Sequence, residues 1–393
     1  METLLSGLVA PSEAPGKLER TAWTLGVEVA GPAAEEVDRE SRFPHEAVTE
    51  FRRTGLLAAL VPEALGGGGA SLPEIIGAVR AVAFHCVSSA LVLAMHTIEV
   101  SNLVRHGATE AHRGLLREVA SEALLIANAN SEVGIGGDVG RSRCAVTPHQ
   151  GGLRLEKDAL AISYGEYADV VVATARRTPE SAETDQVQVI CRRRDFELER
   201  TSTWDAIGLR GTCSNGFRLT ARVDPELMHP VPFAQIASDG GVQATTLLLS
   251  AAWVGIAEAA AAKAHAFVRA SARRNIGTLP PAAPRLAALA VELDAGRALL
   301  ASAAHRFVLA SESREMENPE FIASVRGVKV GTSEMAVRIA TEALSICGIA
   351  GFKRDTPFSL DRQIRDAHGG IVMVSNERYL RANAEMLVAR KHL

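Results

Sequence analysis

The sequence predicts a mostly α-helical chain with a β-rich middle. Three observations carry that expectation: apolar residues recur at three and four between about 43 and 122, short β-rich runs with turn punctuation fill 123 to about 232, and long Ala-rich helical periodicity follows. With 393 residues and 47% hydrophobic content, the chain can bury a sizeable core. The changes of texture divide it into an N-terminal α-helical domain (1–122), a middle antiparallel β domain (123–232) and a C-terminal helical bundle (233–393).

In the first block, "AVTEFRRTGLLAAL" carries the helical spacing and "GGGGASLPE" interrupts it, with Ser71 as N-cap and Pro73 and Glu74 in the first turn of the next helix. The glycine run 66–69 is expected to be a flexible turn rather than a phosphate cradle, because no strand precedes it and no Lys-Ser or Lys-Thr follows. In the second block, "GGLRLEKDALAI", "ADVVVATARR", "QVQVICRRR" and "NGFRLTARV" read as strands. In the third, Leu286, Leu289, Leu293, Leu300 and Phe307 step by three, four, seven and seven along one helix face. Helices this long and Ala-rich pack closely as a bundle, and such bundles commonly continue into neighbouring subunits.

Composition excludes several function classes. Forty-two Lys and Arg against 46 Asp and Glu leave a net charge of −4, which gives no electrostatic reason for a nucleic acid or anionic membrane partner. The start, "METLLSGLVAPSEAPGKLER", lacks a basic region followed by a long apolar run, and no stretch approaches the ~20 uncharged apolar residues of a spanning helix. Cys86, Cys144, Cys191, Cys213 and Cys347 are odd in number and contain no C-x-x-C pair, so free thiols in a reducing cytoplasm are expected. No Rossmann fingerprint, H-E-x-x-H or G-x-S-x-G is present, and the eleven histidines show no metal-ligand spacing. Helical histidines such as His96 and His265 read as packing or surface residues.

The segments "GLLAALVPEALGGGGASLPE", "NSEVGIGGDVG", "WDAIGLRGTCSNGFRL", "SARRNIG", "ATEALSICGIAGF" and "IRDA" occur in an order and rough spacing that resembles the acyl-CoA dehydrogenases, over nearly the whole chain from about residue 40. The resemblance implies an N-terminal helical domain, a middle β domain and a C-terminal four-helix bundle. It further implies FAD between the middle and C-terminal domains, a neighbouring subunit completing the site in a homodimer or homotetramer, and an acyl thioester substrate carried by CoA or an acyl carrier protein. The electron acceptor is left open. By position, Asn128, Asn130, Ser131 and Gly137 fall in the loop that meets the flavin ring, and Ala161, Ile162 and Ser163 match an aromatic-aliphatic-Thr tripeptide beside it. Arg273 and Asn275 match the stretch that reaches the pyrophosphate across the subunit boundary, where a guanidinium offers a forked pair of donors. Ser345 and Gly348 match the Gly-rich turn against the adenosine half.

In this family a Glu removes the proton next to the thioester while a hydride leaves for the flavin, and the base must face the flavin across the substrate. That Glu usually lies seven residues after the Ala of "RDA". Counting from Ala367 gives Val374, whereas counting back from "AEMLVAR" lands near Arg378. A loop longer by three residues would bring Glu377 to the catalytic place, which makes Glu377 the candidate base. The competing assignment has Ser375 or Asn376 as an N-cap and Glu377 as a first-turn acid. A subset of the family carries its Glu on the first long C-terminal helix, where this sequence has Thr245, followed by Thr246 in place of an Arg that helps to hold the CoA arm; a loop Ser is replaced by Gly137. These departures cluster at the substrate end. Three functions stay open: an FAD-dependent α,β-dehydrogenase of an acyl thioester, a flavin-dependent monooxygenase on the same fold with His368 after "RDA" as acid or base, and a catalytically inactive flavoprotein scaffold.

Overall fold

In a computed structural model describing residues 16–150, 152–274 and 276–389, the first block is helical: α1 (Lys17–Leu25), α2 (Gly31–Arg39), α3 (His45–Thr54), α4 (Leu72–His85), α5 (Val87–His106) and α6 (Glu110–Glu122). Helix α4 starts where its cap residues place it: the backbone N–H and the hydroxyl of Ser71 both donate to the Glu74 carboxylate at 2.8 Å, closing a capping box. The glycine run before it is a tightly packed turn, contrary to the flexible one expected. A Cβ on Gly67 would sit 2.2 Å from the Val61 carbonyl oxygen, and Gly68 and Gly69 donate backbone bonds to Ala58 and Val61 at 3.0 and 2.9 Å. Glycine is required there by close approach of two backbones.

Among the described residues seven strands follow: β1 (Ile126–Ala129), β2 (Val146–His149), β3 (Gly152–Ala159), β4 (Val170–Arg176), β5 (Gln186–Arg192), β6 (Phe196–Ser202) and β7 (Gly216–Val223). They form a three-stranded sheet in the order β1-β4-β5 and a four-stranded sheet in the order β2-β3-β7-β6. The expected all-antiparallel arrangement fails at one pair, since β1 and β4 run parallel, with Asn128 opposite Val172. The reason is topological. The β2–β3 hairpin leaves for the other sheet, and that long excursion lets the chain return beside β1 in the same direction.

The last block comprises α7 (Phe233–Ile236), α8 (Val242–Arg274), α9 (Ala283–Ser313), α10 (Pro319–Cys347), α11 (Ile349–Phe352), α12 (Asp361–Val372) and α13 (Asn376–Ala389). On α9, Leu289, Leu293 and Leu300 are buried and Leu286 and Phe307 pack against the core, as their spacing predicts. Helix α8 packs against α10 on one side and α4 on the other. Gly255 allows the second contact: a Cβ there would lie 2.6 Å from the Arg80 carbonyl oxygen. Both α5 and the run 233–274 are long and apolar enough to cross a bilayer, but 89% and 94% of their apolar windows are buried inside the protein. Their apolarity is satisfied by packing, and one core joins the N-terminal helices, the sheets and the bundle. All five cysteines are unpaired.

Candidate active site

A cavity of about 1080 Å³ opens where the ends of the strands meet α5, α8, α12 and the start of α13. Its walls are mostly apolar, with Leu91, Met95 and Ile98 from one face of α5, and with Leu249, Ile371 and Met373 from the bundle. The volume exceeds the several hundred cubic ångströms of an ordinary small-ligand pocket, which leaves room for a ring system and a substrate together.

The sequence loop 128–131 leaves the end of β1 and enters this cavity, contributing Asn128, Asn130 and Ser131. Its geometry is fixed from beneath. The Ser131 hydroxyl donates to the Ala161 carbonyl at 2.9 Å and accepts from the Ala161 N–H at 3.1 Å, so the two predicted flavin-facing segments are tied to each other. One residue on, the buried Glu132 accepts from the Ser142 hydroxyl at 2.7 Å, the Arg143 and Cys144 N–H groups at 3.0 and 2.9 Å, and the buried Lys157 ammonium at 3.3 Å. A buried charge satisfied on all sides roots the loop.

Ala161 and Ser163 line the cavity, whereas Ile162 lies fully buried behind them. Ser163 ends a chain of hydroxyls: its oxygen is 2.8 Å from that of Ser214, which is 2.8 Å from that of Thr212, and Thr212 donates to the Leu209 carbonyl at 2.9 Å. Because Thr212 spends its proton on Leu209, Ser214 must donate to Thr212 and Ser163 to Ser214. The Ser163 oxygen therefore presents lone pairs to the cavity, suited to an N–H. The buried side-chain oxygen of Asn130 also has no partner and offers a second acceptor. A hydroxyl acceptor at the wall of a large, mostly apolar cleft, with an unpartnered amide oxygen in the adjoining loop, fits a flavin ring, whose edge carries N–H donors when reduced.

Two motifs far apart in sequence meet at the cleft wall. Leu209 of "GLRG" donates its N–H to the Asp366 carboxylate of "RDA" at 2.7 Å, and Arg365 donates to the Ile207 carbonyl at 2.9 Å. Gly208 and Gly369 permit the contact, since a Cβ on either would lie 2.4 Å from the Arg365 carbonyl oxygen or the Leu209 side chain. Burial pushes the Asp366 carboxyl up to about 6. His368 lines the cavity, with Nδ1 2.7 Å from the Ile364 carbonyl; that bond places the proton on Nδ1 and leaves Nε2 as an acceptor.

Glu377, the candidate base, is not among the residues that line this cleft. Helix α12 ends at Val372 and α13 begins at Asn376, which leaves the turn 373–375 between them. Val374, at φ +50°, lines the cavity at the place reached by counting from Ala367, and Glu377 lies exposed on the first turn of α13. The Ser375 hydroxyl accepts from the Arg378 N–H at 3.4 Å, while Asn376 is buried and accepts from the Lys329 ammonium at 2.6 Å. Glu377 is thus held by a helix start that points its neighbours inward: Arg378 and Tyr379 line the cavity, and Arg378 donates to the carbonyls of Gly136, at 3.0 Å, and Gly137. Thr245 lines the cavity as well, and the hydroxyls of Thr246 and Tyr379 are 3.2 Å apart.

The other predicted residues fall elsewhere. Gly137, at φ +75°, is joined to the site through Arg378. Arg273 is exposed in the last turn of α8, and Ser345 and Gly348 are exposed at the end of α10, outside the cavity of this one chain. Asn275 lies outside the described residues.

One residue that the sequence reading missed is Glu99. It lines the cavity from α5, is 2% exposed, and is the one carboxylate among the described lining residues. An acid within "ALVLAMHTIEVSNLV", an otherwise apolar helical run, was the available signal.

The residues 17–123 match the family model for the acyl-CoA dehydrogenase N-terminal domain, and 240–371 match that for the C-terminal domain. A Bacillus subtilis protein named probable acyl-CoA dehydrogenase YngJ is 27% identical over 346 residues, covering 86% of this chain and 87% of the relative. Among solved structures, butyryl-CoA dehydrogenase from Megasphaera elsdenii aligns with TM-score 0.81 at 22% identity over 94% of this chain and 97% of the other. Dibenzothiophene monooxygenase TdsC from Paenibacillus sp. A11-2 aligns with TM-score 0.82 at 20% identity, over 95% and 97%. At such identities the two structures speak for the fold.

Proposed function

The chain belongs to the acyl-CoA dehydrogenase family, and from that membership we propose that it is a flavin-dependent oxidoreductase that oxygenates, rather than dehydrogenates, a substrate held in the cleft. One observation carries the choice: Val374 and Thr245 occupy the cleft at the two places where the resemblance expects a proton-abstracting carboxylate, and Glu377 lies exposed outside it. At those two places, proton removal beside a thioester lacks a carboxylate acceptor.

Flavin, FAD in this family, supplies two electrons to dioxygen when reduced, so that one oxygen atom enters the substrate and the other leaves as water. The residues that would hold the ring are Asn128, Asn130, Ser131, Ala161 and Ser163, with Ser163 and Asn130 accepting from ring N–H groups. The Nε2 atom of His368 accepts and returns a proton at the substrate. The apolar walls from α5 and α8 exclude water, which protects a reactive oxygen species from unproductive collapse. Arg273, Ser345 and Gly348 lie apart from this cleft, which is consistent with contacts to the diphosphate and adenosine half of FAD across the interface of a homodimer or homotetramer. The acyl thioester, on CoA or an acyl carrier protein, is the substrate class carried over from the resemblance. The cytoplasm, where the five thiols stay reduced, is the compartment we propose.

A second reading keeps α,β-dehydrogenation with Glu377 as base. It is favoured by the dehydrogenase names of the relatives and by the place of Glu377 next to Arg378, which does line the cleft. Supplying a flavin reductase, an acyl thioester panel and ¹⁸O₂ separates the two. Oxygenation predicts a product heavier by one labelled oxygen, and an unlabelled product lighter by two hydrogens would establish the second reading.

A further inference from the structure

The carboxylate that the proposed chemistry leaves unused is Glu99. One of its oxygens, Oε1, is buried and has no hydrogen-bond partner. The other, Oε2, has the Asn102 and Gln188 side-chain amides at 3.4 Å, a distance at which each bond is weak, and the Asn128 amide beside the carboxyl adds a further neutral donor but no charge. Among the described residues no cation compensates it. The cavity-lining guanidiniums are engaged elsewhere: Arg365 with Asp38 and Asp361, Arg378 with the Gly136 and Gly137 carbonyls, and Arg326 over the Tyr379 ring. An acid buried without a counter-charge is costly, and a carboxylate cannot be turned round, as an amide can, to become a donor.

Leu91, Met95, Ile98, Glu99 and Asn102 fall on one face of α5 at helical spacing, so the cavity wall there is an apolar strip ending in an acid. From this geometry we propose that Glu99 is a recognition carboxylate, and that the substrate carries a basic amine beyond an apolar segment, held as an ammonium against Oε1. The amine supplies the missing donor and the missing positive charge at once, which an alcohol or a plain alkyl end does not. The proposal deepens the oxygenation reading by naming the substrate class of the same cleft, but it concerns binding alone.

Its test is calorimetric titration of the flavin-loaded protein at pH 8 with n-hexylamine, n-hexanol and hexanoate, repeated on Glu99→Gln and on flavin-free protein. The expected result is hexylamine binding at least about tenfold tighter than hexanol, hexanoate weakest, and equal amine and alcohol affinities in Glu99→Gln. Unchanged hexanol affinity in that variant shows that the cavity survived the substitution. Amine and alcohol binding equally well to the wild type would overturn the proposal, as would a Gln variant that keeps the preference. Amine binding that appears only without flavin would assign the Oε1 acceptor to the ring instead, and would also overturn it. Flavin occupancy and labelled-oxygen transfer are read separately, so failure here is distinct from failure of the oxygenation reading.

Discussion

Burial in an apolar wall raises the Glu99 carboxyl from 4.5 to about 7, against the smaller opposing effect of its Asn102, Asn128 and Gln188 partners. The folded protein therefore binds a proton there between these two values that the unfolded chain has released, and stability falls as pH rises through that window. Below about 4.5 no cost is present, and above about 7 it is complete, at about 3 kcal/mol by the usual conversion. In ligand-free protein, Glu99→Gln should thus unfold at higher denaturant concentration than wild type at pH 8, with the gain vanishing near pH 4.5; a gain equal at both pH values would contradict the buried-acid assignment. Glu377 gives the opposite kind of prediction. Replaced by Gln, it should alter turnover by less than about twofold, whereas a general base contributes ~10²–10⁴-fold. Steady-state rates check this. Part of this site was legible in the chain: Asn128, Asn130, Ser131, Ala161 and Ser163 line one cleft. Glu377 and Val374 were separable only with coordinates, because three residues of register decide which side chain a turn sends inward.

At the scale of elements, the cleft wall depends on a clasp between the turn before β7 and helix α12. Leu209 donates to Asp366, Arg365 donates to Ile207, and Gly208 leaves no space for a side chain. Gly208→Ala forces a methyl to 2.4 Å from a backbone oxygen and should cost about 1–3 kcal/mol, as overpacking usually does. It should also loosen the flavin, and thermal unfolding together with flavin absorbance after gel filtration reads both; full occupancy at unchanged stability would show that the clasp is not needed. Both motifs were visible in the sequence, but their contact was not, since 157 residues separate the bonded pair. The parallel β1–β4 pair escaped for a related reason. Strand texture reports propensity and burial, and direction depends on where the β2–β3 hairpin goes.

For the whole molecule, the succession of helices, strands and helices was readable because periodicity registers which side of each element is buried, and the buried stripe on α9 is an instance. What the chain could not disclose is how its exposed flavin-family residues are used. Arg273 is exposed in one subunit, and our account gives it to a partner's FAD diphosphate. Arg273→Ala should lower FAD occupancy and shift the oligomer toward smaller species together, measured by absorbance and light scattering on one sample; an oligomer with full FAD would refute that role. The measurement closest to the central claim is anaerobic stopped-flow mixing of the oxidised flavoprotein with acyl-CoA and acyl-carrier-protein thioesters while following flavin absorbance. With Val374 and Thr245 where a base would stand, the visible flavin band should persist with every thioester. Rapid bleaching by any one of them would mean that a proton and a hydride do leave the substrate in this cleft, and the oxygenase account would be wrong.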